Sequence, residues 1–265
     1  MKKIIFFIIT LTLIGCSNLS KKQYTNEEVA AAVSVDNVYI VNRAIKNGFN
    51  IDTQFQSGET LLSIALKENS VQVLMSLLTN GVDVNTNLPP FKVIGTDVIL
   101  PPRAPIFYVS SLDALNLLIK NRANLNEVDG SGELLLNYFI KNRPSSYAIE
   151  LIKEGADLNI KDSSEWYPIF WAVNVENEEM LRELILKDNN QYLLKDKKGN
   201  YPVYYANSRD VMRYLLSFNY NLNERNIYGE NILGEVYLKA KSLGYKDIQD
   251  ILMKKGVNPN YTSYR

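Results

Sequence analysis

One phrase is written several times along this chain, and its spacing restricts what the chain can fold into. The full copies are Ile45-Lys46-Asn47-Gly48-Phe49-Asn50-Ile51-Asp52, Leu78-Thr79-Asn80-Gly81-Val82-Asp83-Val84-Asn85, Ile119-Lys120-Asn121-Arg122-Ala123-Asn124-Leu125-Asn126 and Ile152-Lys153-Glu154-Gly155-Ala156-Asp157-Leu158-Asn159. Shorter copies are Phe218-Asn219-Tyr220-Asn221-Leu222-Asn223 and Lys255-Gly256-Val257-Asn258. From Gly48 to Gly81 is 33 residues, and from Asn126 to Asn159 is 33 again. A fixed period of this length marks a stack of small units, none of which can bury its apolar face alone. Before each phrase, leucines fall at helical spacing, as in Val73, Leu74, Leu77 and Leu78. They form the stripe that the next unit covers. The glycine that follows ends the helix in a left-handed turn.

The start of each unit is also recurrent. Thr60-Leu61-Leu62-Ser63-Ile64-Ala65, Ala104-Pro105-Ile106-Phe107, Tyr167-Pro168-Ile169-Phe170-Trp171-Ala172 and Tyr201-Pro202-Val203-Tyr204-Tyr205-Ala206 fill one slot. Proline suits the first turn of a helix, where no backbone N–H is needed. With the period, these segments resemble the ankyrin repeat, which opens its first helix with a Thr-Pro-Leu-His tetrapeptide. The resemblance implies an all-α solenoid of helix-turn-helix units joined by short hairpin-like loops. It covers residues 26–260 in about seven units, with atypical first and last units as caps and a C-terminal tail at 261–265.

Departures from the family pattern predict irregularities. The family's histidine is replaced by Ser63, Phe107, Asn137, Phe170 or Tyr204, so those units are expected to lose its side-chain hydrogen bond. Units near 104–126 and 201–223 are about three residues short and read as compact turns. Asp188-Asn189-Asn190 stands where glycine is expected. Residues 86–103 interrupt the period, flanked by Pro89-Pro90 and Pro101-Pro102. Two β-branched runs around Gly95-Thr96 predict an enlarged hairpin, either projecting as a finger or folding back over the stack.

The N-terminus carries an address. Lys2 and Lys3 precede an apolar run from Ile4 to Ile14, which is too short to span a bilayer that needs about 20 residues. The run ends in Leu13-Ile14-Gly15-Cys16, which resembles a bacterial lipobox. That resemblance implies a signal peptide at 1–15, cleavage before Cys16 and acylation of Cys16. Two or more acyl chains anchor a protein stably. Residues 16–25 then read as a lipidated tether. Ser17 rather than aspartate follows Cys16, which favours the outer membrane, on its periplasmic face or the cell surface, in a host with two membranes.

Composition excludes several chemistries. There is no histidine and one cysteine, Cys16, so a Ser/His/Asp or Cys/His set, an intrachain disulfide and a thiolate cluster are all excluded. The chain has 29 basic and 29 acidic residues; without Lys2 and Lys3 the mature part is slightly acidic, with no basic block to suggest nucleic-acid binding. Asp129-Gly130-Ser131-Gly132 is a repeat-joining turn and lacks the Gly-Lys-Ser/Thr of a phosphate loop. Glu27-Glu28 and Glu178-Glu179 read as solvated helix faces. Asp83, Asp157, Asn85 and Asn159 are expected to satisfy turn backbone. No catalytic residue, metal ligand or cofactor is expected.

Protein binding is what remains. In the ankyrin family the concave face, built by hairpin tips and the exposed side of each first helix, touches partners. On this chain the resemblance places there Ser57 and Glu59, Ser131 and Glu133, Ser164 and Trp166, Lys197, Lys198 and Asn200, and Tyr228 and Glu230. Trp166 and Tyr228 stand out as aromatic candidates, although either ring has a second role open to it, packing on the next hairpin. The expectation is a monomeric, lipid-anchored envelope protein that binds another protein. An immunity or inhibitor role against a toxin or hydrolase is one form of it. A scaffold or chaperone for an envelope assembly, or a surface host-interaction protein, is the alternative.

Overall fold

The computed structural model describes residues 22–92, 97 and 99–261. Cys16, the signal segment and residues 262–265 lie outside them. Helices pair in sequence: α1 (Asn26–Ser34) with α2 (Val38–Lys46), α3 (Leu61–Glu68) with α4 (Val71–Thr79), and α6 (Leu135–Asn142) with α7 (Ser145–Lys153). The pairs α8 (Pro168–Asn174) with α9 (Glu178–Lys187) and α11 (Ile232–Ser242) with α12 (Lys246–Lys254) follow the same plan. In the two shortened units the first helix contracts to a 3-10 turn, Pro105–Tyr108 before α5 (Leu112–Lys120) and Pro202–Tyr205 before α10 (Arg209–Leu215). A 3-10 turn advances further per residue than an α-helix, so it crosses the stack with fewer residues.

Local chemistry explains where the helices begin. Pro105, Pro168 and Pro202 occupy first-turn positions. Thr25 caps α1 in a reciprocal box with Glu28, and Thr60 caps α3 with Ser63. Asn37, Ser111, Asn177 and Asn231 each accept a backbone N–H three residues on. Thr25 therefore belongs to the fold, as does Lys22, which pairs with Glu28 and whose carbonyl accepts from Asn47 Nδ2. The expected tether thus meets the fold before residue 26. Glu178 pairs with Arg182 one turn on, so the Glu27-Glu28 and Glu178-Glu179 pairs each supply a helix-end contact.

The helices form two layers. First helices stack on first helices, α1 on α3, α6 on α8, and α8 and α11 on the 202–205 turn. Second helices do the same, α2 on α4, α4 on α5, α5 on α7, and α7 on α9. Between the 105–108 turn and α6 the rings of Phe107 and Tyr138 meet at 5.4 Å. Between α9 and α10 the Arg182 guanidinium lies 4.2 Å over Tyr214. One apolar core runs through the stack from Val29 to Val257. Ser63 and Asn137 correct the expectation that the histidine slots lose their hydrogen bonds. Ser63 Oγ accepts from Thr60 N at 2.9 Å, and Asn137 Nδ2 donates to Asp162 at 3.1 Å.

The repeated phrase has two jobs. Its first Asx side chain closes a turn on its own strand: Asp83 accepts from Asn85 N at 2.9 Å and Asp157 from Asn159 N at 2.8 Å. The second Asn reaches the next unit: Asn85 Oδ1 accepts from Asn124 N, Asn126 Oδ1 from Asp157 N, and Asn159 Oδ1 from Gln191 Nε2. Gln191, buried in a 3-10 turn at Gln191–Leu193, takes that place in the unit where the phrase is degenerate. Arg122 adopts a left-handed φ of 66° where its sister phrases have glycine.

The insert forms an antiparallel hairpin, β1 (Phe91–Lys92) against β2 (Ile99–Leu100). Its turn lies outside the described residues. At its base Leu88 and Arg103 exchange both backbone hydrogen bonds. Leu88 and Arg103 are buried, and Ile99 is exposed. At the far end, Tyr261, placed by sequence in a free tail, lies on α11: its hydroxyl accepts from Asn231 N and donates to Glu235.

Candidate protein-binding surface

Between successive helix pairs the chain makes a hairpin, closed by single antiparallel bridges such as Gln54–Thr60, Val128–Leu134 and Arg225–Asn231. Each of the last four hairpins is built around one buried polar side chain: Asp129, Asp162, Asp196 and Asn226. In each, Oδ1 accepts two backbone N–H groups. Asp129 takes those of Ser131 and Glu133, Asp162 those of Ser164 and Trp166, Asp196 those of Lys198 and Asn200, and Asn226 those of Tyr228 and Glu230. The remaining polar atom ties the hairpin to the solenoid. Asp129 receives Arg103 Nη2 at 2.6 Å, Asp162 receives Asn137 and Trp171 Nε1, and Asp196 receives the Tyr205 hydroxyl. Asn226 donates to Asn200 Oδ1 at 3.1 Å.

These contacts set local ionisation. Burial pushes Asp129 up, but hydrogen bonds from Ser131 and Glu133, with Arg103 nearby, outweigh it and hold the carboxyl below its ordinary range. Burial and the bond to Asp196 push the Tyr205 hydroxyl far up. Both groups keep one protonation state near neutrality, the carboxylate and the phenol that their hydrogen bonds require.

The hairpin tips are also zipped to one another. Gly130 N donates to Pro102 O, Ser163 N to Gly132 O, and Ile227 N to Lys198 O. These bonds join the insert base to the 129 hairpin, that hairpin to the 162 hairpin, and the 196 hairpin to the 226 hairpin, and the tips form a ledge along one edge of the stack.

The expected contact residues divide. Lys197, Lys198 and Tyr228 stand exposed on the ledge, and Ile227 beside them is exposed too. Glu59 and Glu133 are half-buried and pair with Lys67 and Lys141, each eight residues on, at the end of the following helix. Ser57 donates to Glu59 and Ser131 to Asp129, while Ser164 is exposed. Glu230 accepts from Asn226 Nδ2 at 2.8 Å. Trp166 is half-buried in an aromatic cluster, its ring 4.9 Å from Trp171, 5.0 Å from Tyr205 and 5.7 Å from Phe170. Asn200 is 1% exposed and bonded inside the stack, so it joins hairpins and presents nothing to a partner.

Sequence reasoning passed over the hairpin acids, Ile227 and Arg103. The three acids and Asn226 had a signal: positions 129, 162, 196 and 226 recur at nearly the repeat period, and three of them are followed by glycine three residues later. Among the described residues no group of three or more Cys, Asp or Glu gathers as a metal site would.

No family model matches the chain. It is similar to an ankyrin repeat protein of Acanthamoeba polyphaga mimivirus, 27% identical over 136 residues, which are 48% of this chain and 18% of that protein. It is also similar to an ankyrin repeat protein of Fowlpox virus (strain NVSL), 26% identical over 168 residues, covering 54% of this chain and 89% of that one. The chain thus spans under a fifth of the mimivirus protein's length. With the stacked helix pairs and zipped hairpins, these likenesses decide the architecture. The fold is an all-α ankyrin-repeat solenoid. The ledge is then the hairpin edge of that solenoid, and the half-buried rings of Tyr138, Trp171 and Tyr205 lie on its first-helix side.

Proposed function

We propose that this ankyrin-repeat solenoid is a non-catalytic protein-binding module, held at a membrane by lipid on Cys16, whose hairpin ledge and concave face grip a partner protein. The observation that carries the reading is the tip of the 225–231 hairpin. Ile227 is 66% and Tyr228 is 62% exposed, while Asn226 and Lys198 fix the backbone beneath them. Large apolar side chains on a rigid, pre-ordered tip give up little entropy on binding, which favours contact hot spots. Lys197 and Lys198 supply a charged rim beside them. Anchoring rests on Leu13-Ile14-Gly15-Cys16 and the short apolar run before it. The partner is a protein outside the cytoplasm, and an incoming toxin or hydrolase is the form in which a tethered binder acts as an inhibitor.

A crosslinking pull-down from intact cells tests this, with the chain tagged at its C-terminus. An Ile227→Ala/Tyr228→Ala variant serves as the comparison, because Trp166→Ala would disturb the aromatic cluster. Capture of one protein by the wild type, lost in the double variant, is the expected result. Capture that is indifferent to the tip would overturn the placing of the surface. A Cys16→Ser variant that still fractionates with membranes would overturn the anchor. Unchanged sensitivity to toxin-secreting neighbours after gene deletion would sink the inhibitor form.

A further inference from the structure

We propose that the concave cleft between the 105–108 turn and α6 is a carboxylate subsite, which an Asp or Glu side chain of the partner protein enters. The inference rests on the protein-binding reading above and adds the chemistry of the partner. The cleft has a volume of about 320 Å³ and is lined by Arg103, Arg143, Lys67, the rings of Phe107 and Tyr138, and Leu100 from the finger. Neither Asp nor Glu is among the described residues that line it.

The two guanidinium groups carry the argument. The Arg103 side chain is 8% exposed and lies 5.0 Å from the Phe107 ring and 5.1 Å from the Tyr138 ring. Its Nη2 donates to Asp129, but its Nε is buried and meets no acceptor. Asp129 does not serve that Nε as well, because its other oxygen already accepts from Ser131 and Glu133. Arg143, at the end of α6, also has a buried Nε without an acceptor. Among the described residues no carboxylate pairs with Arg143, and its charge faces only the Tyr147 ring, 5.9 Å away. Lys67 is held by Glu59.

Buried donors without acceptors are costly, and native structures rarely keep them idle. Two such donors, on two cations beside one cleft, call for an anionic acceptor. The planar edge of a guanidinium matches a carboxylate in geometry and charge. Phe107 and Tyr138 offer apolar faces to the methylene stem of an acidic side chain. Arg143 is the principal cation for it, because no described carboxylate pairs with it, and Arg103, whose charge Asp129 already balances, adds its unpartnered Nε.

The test uses the full chain in detergent and a fluorescein-labelled peptide of alternating Glu and Gly, read by anisotropy. The Gln/Gly peptide is the control. Binding of the Glu peptide alone is expected. It should weaken at least ten-fold in Arg143→Gln, recover in part in Arg143→Lys, and stay within two-fold in Lys197→Gln/Lys198→Gln. Acetate should compete better than chloride at equal ionic strength. Equal weakening by the Arg143 and Lys197/Lys198 variants would show diffuse attraction and overturn the subsite, as would failure to bind the Glu peptide. Phosphate competing more strongly than acetate would overturn the carboxylate assignment. A captured partner that Arg143→Gln retains and Ile227→Ala/Tyr228→Ala loses would overturn this inference while leaving the protein-binding reading intact.

Discussion

The ring of Tyr261 lies where a side chain on Gly234 would stand: a Cβ built there would be 2.7 Å from the ring's Cδ1 and Cε1 atoms. Gly234 is a helical residue of α11, so its lack of a side chain serves this close approach. Tyr261 docks on α11, the first helix of the last described pair. Gly234→Ala should displace the ring and lower stability by about 1–3 kcal/mol, the usual cost of overpacking. Tyr261→Ala should cost a similar amount, and the double variant should cost less than the sum because both changes lose one contact. Urea denaturation of the four proteins checks this. Strict additivity would contradict the docking.

Asp162, like Asp129, takes four donors on its two oxygens. Asp162→Ala strands those donors and should destabilise by about 3 kcal/mol or more. Asp162→Asn should also lose stability, since its amide would face either Trp171 or the hairpin N–H groups with a donor. Both tryptophans of the chain, Trp166 and Trp171, sit at this hairpin. Tryptophan fluorescence is therefore a local reporter: the emission should shift to longer wavelength in Asp162→Ala. An unchanged spectrum with unchanged stability would contradict the assigned network.

Glu165 holds a φ of 62°, at the hairpin position where its counterparts Gly132, Gly199 and Gly229 have φ between 77° and 82°. A non-glycine residue pays about 1 kcal/mol there. The exposed pair of Glu165 with Lys161 at 3.5 Å returns little. Glu165→Gly should stabilise the protein by up to about 1 kcal/mol. A raised denaturation midpoint checks it, and a clear loss would mean that the ion pair outweighs the strain.

Acid should weaken the fold through the hairpins and turns. Asp129 titrates below its ordinary 3.8, because its hydrogen bonds and Arg103 outweigh burial. Asp83, through Thr86, Asp188, through the Asn190 backbone, and Glu224, through Lys195, shift the same way. A carboxyl with a lowered folded pKa contributes stability that is complete above its unfolded pKa and is lost as pH falls through the folded one. Unfolding free energy should therefore be level from about pH 7 to 5 and decline below about pH 4. Asp129→Asn should be less stable at neutral pH, with a shallower acid decline. Stability that rises on acidification from pH 5 to 3 would contradict this.

The repeat, the pairing of helices and the places where the pattern weakens are all written in the order of residues. Period, proline at first turns and apolar spacing are local properties, and each unit carries its own copy. That is why the shortening of the units near 104 and 201, which fold as 3-10 turns, is legible in the sequence. The Asx turns of Asp83 and Asp157 were legible for the same reason, since their partners lie two residues away. Tertiary structure alone decided which side chains are spent inside the stack and which are left for a partner. Asn200 and Trp166 read as surface residues in sequence. One is bonded to Asn226, 26 positions on, and the other packs against Tyr205 in the next unit. Arg103 gave no signal at all, because its value lies in where Asp129, Phe107 and Tyr138 meet around it. Such roles depend on neighbours a whole repeat away, and burial is a property of the assembled stack that no single unit possesses.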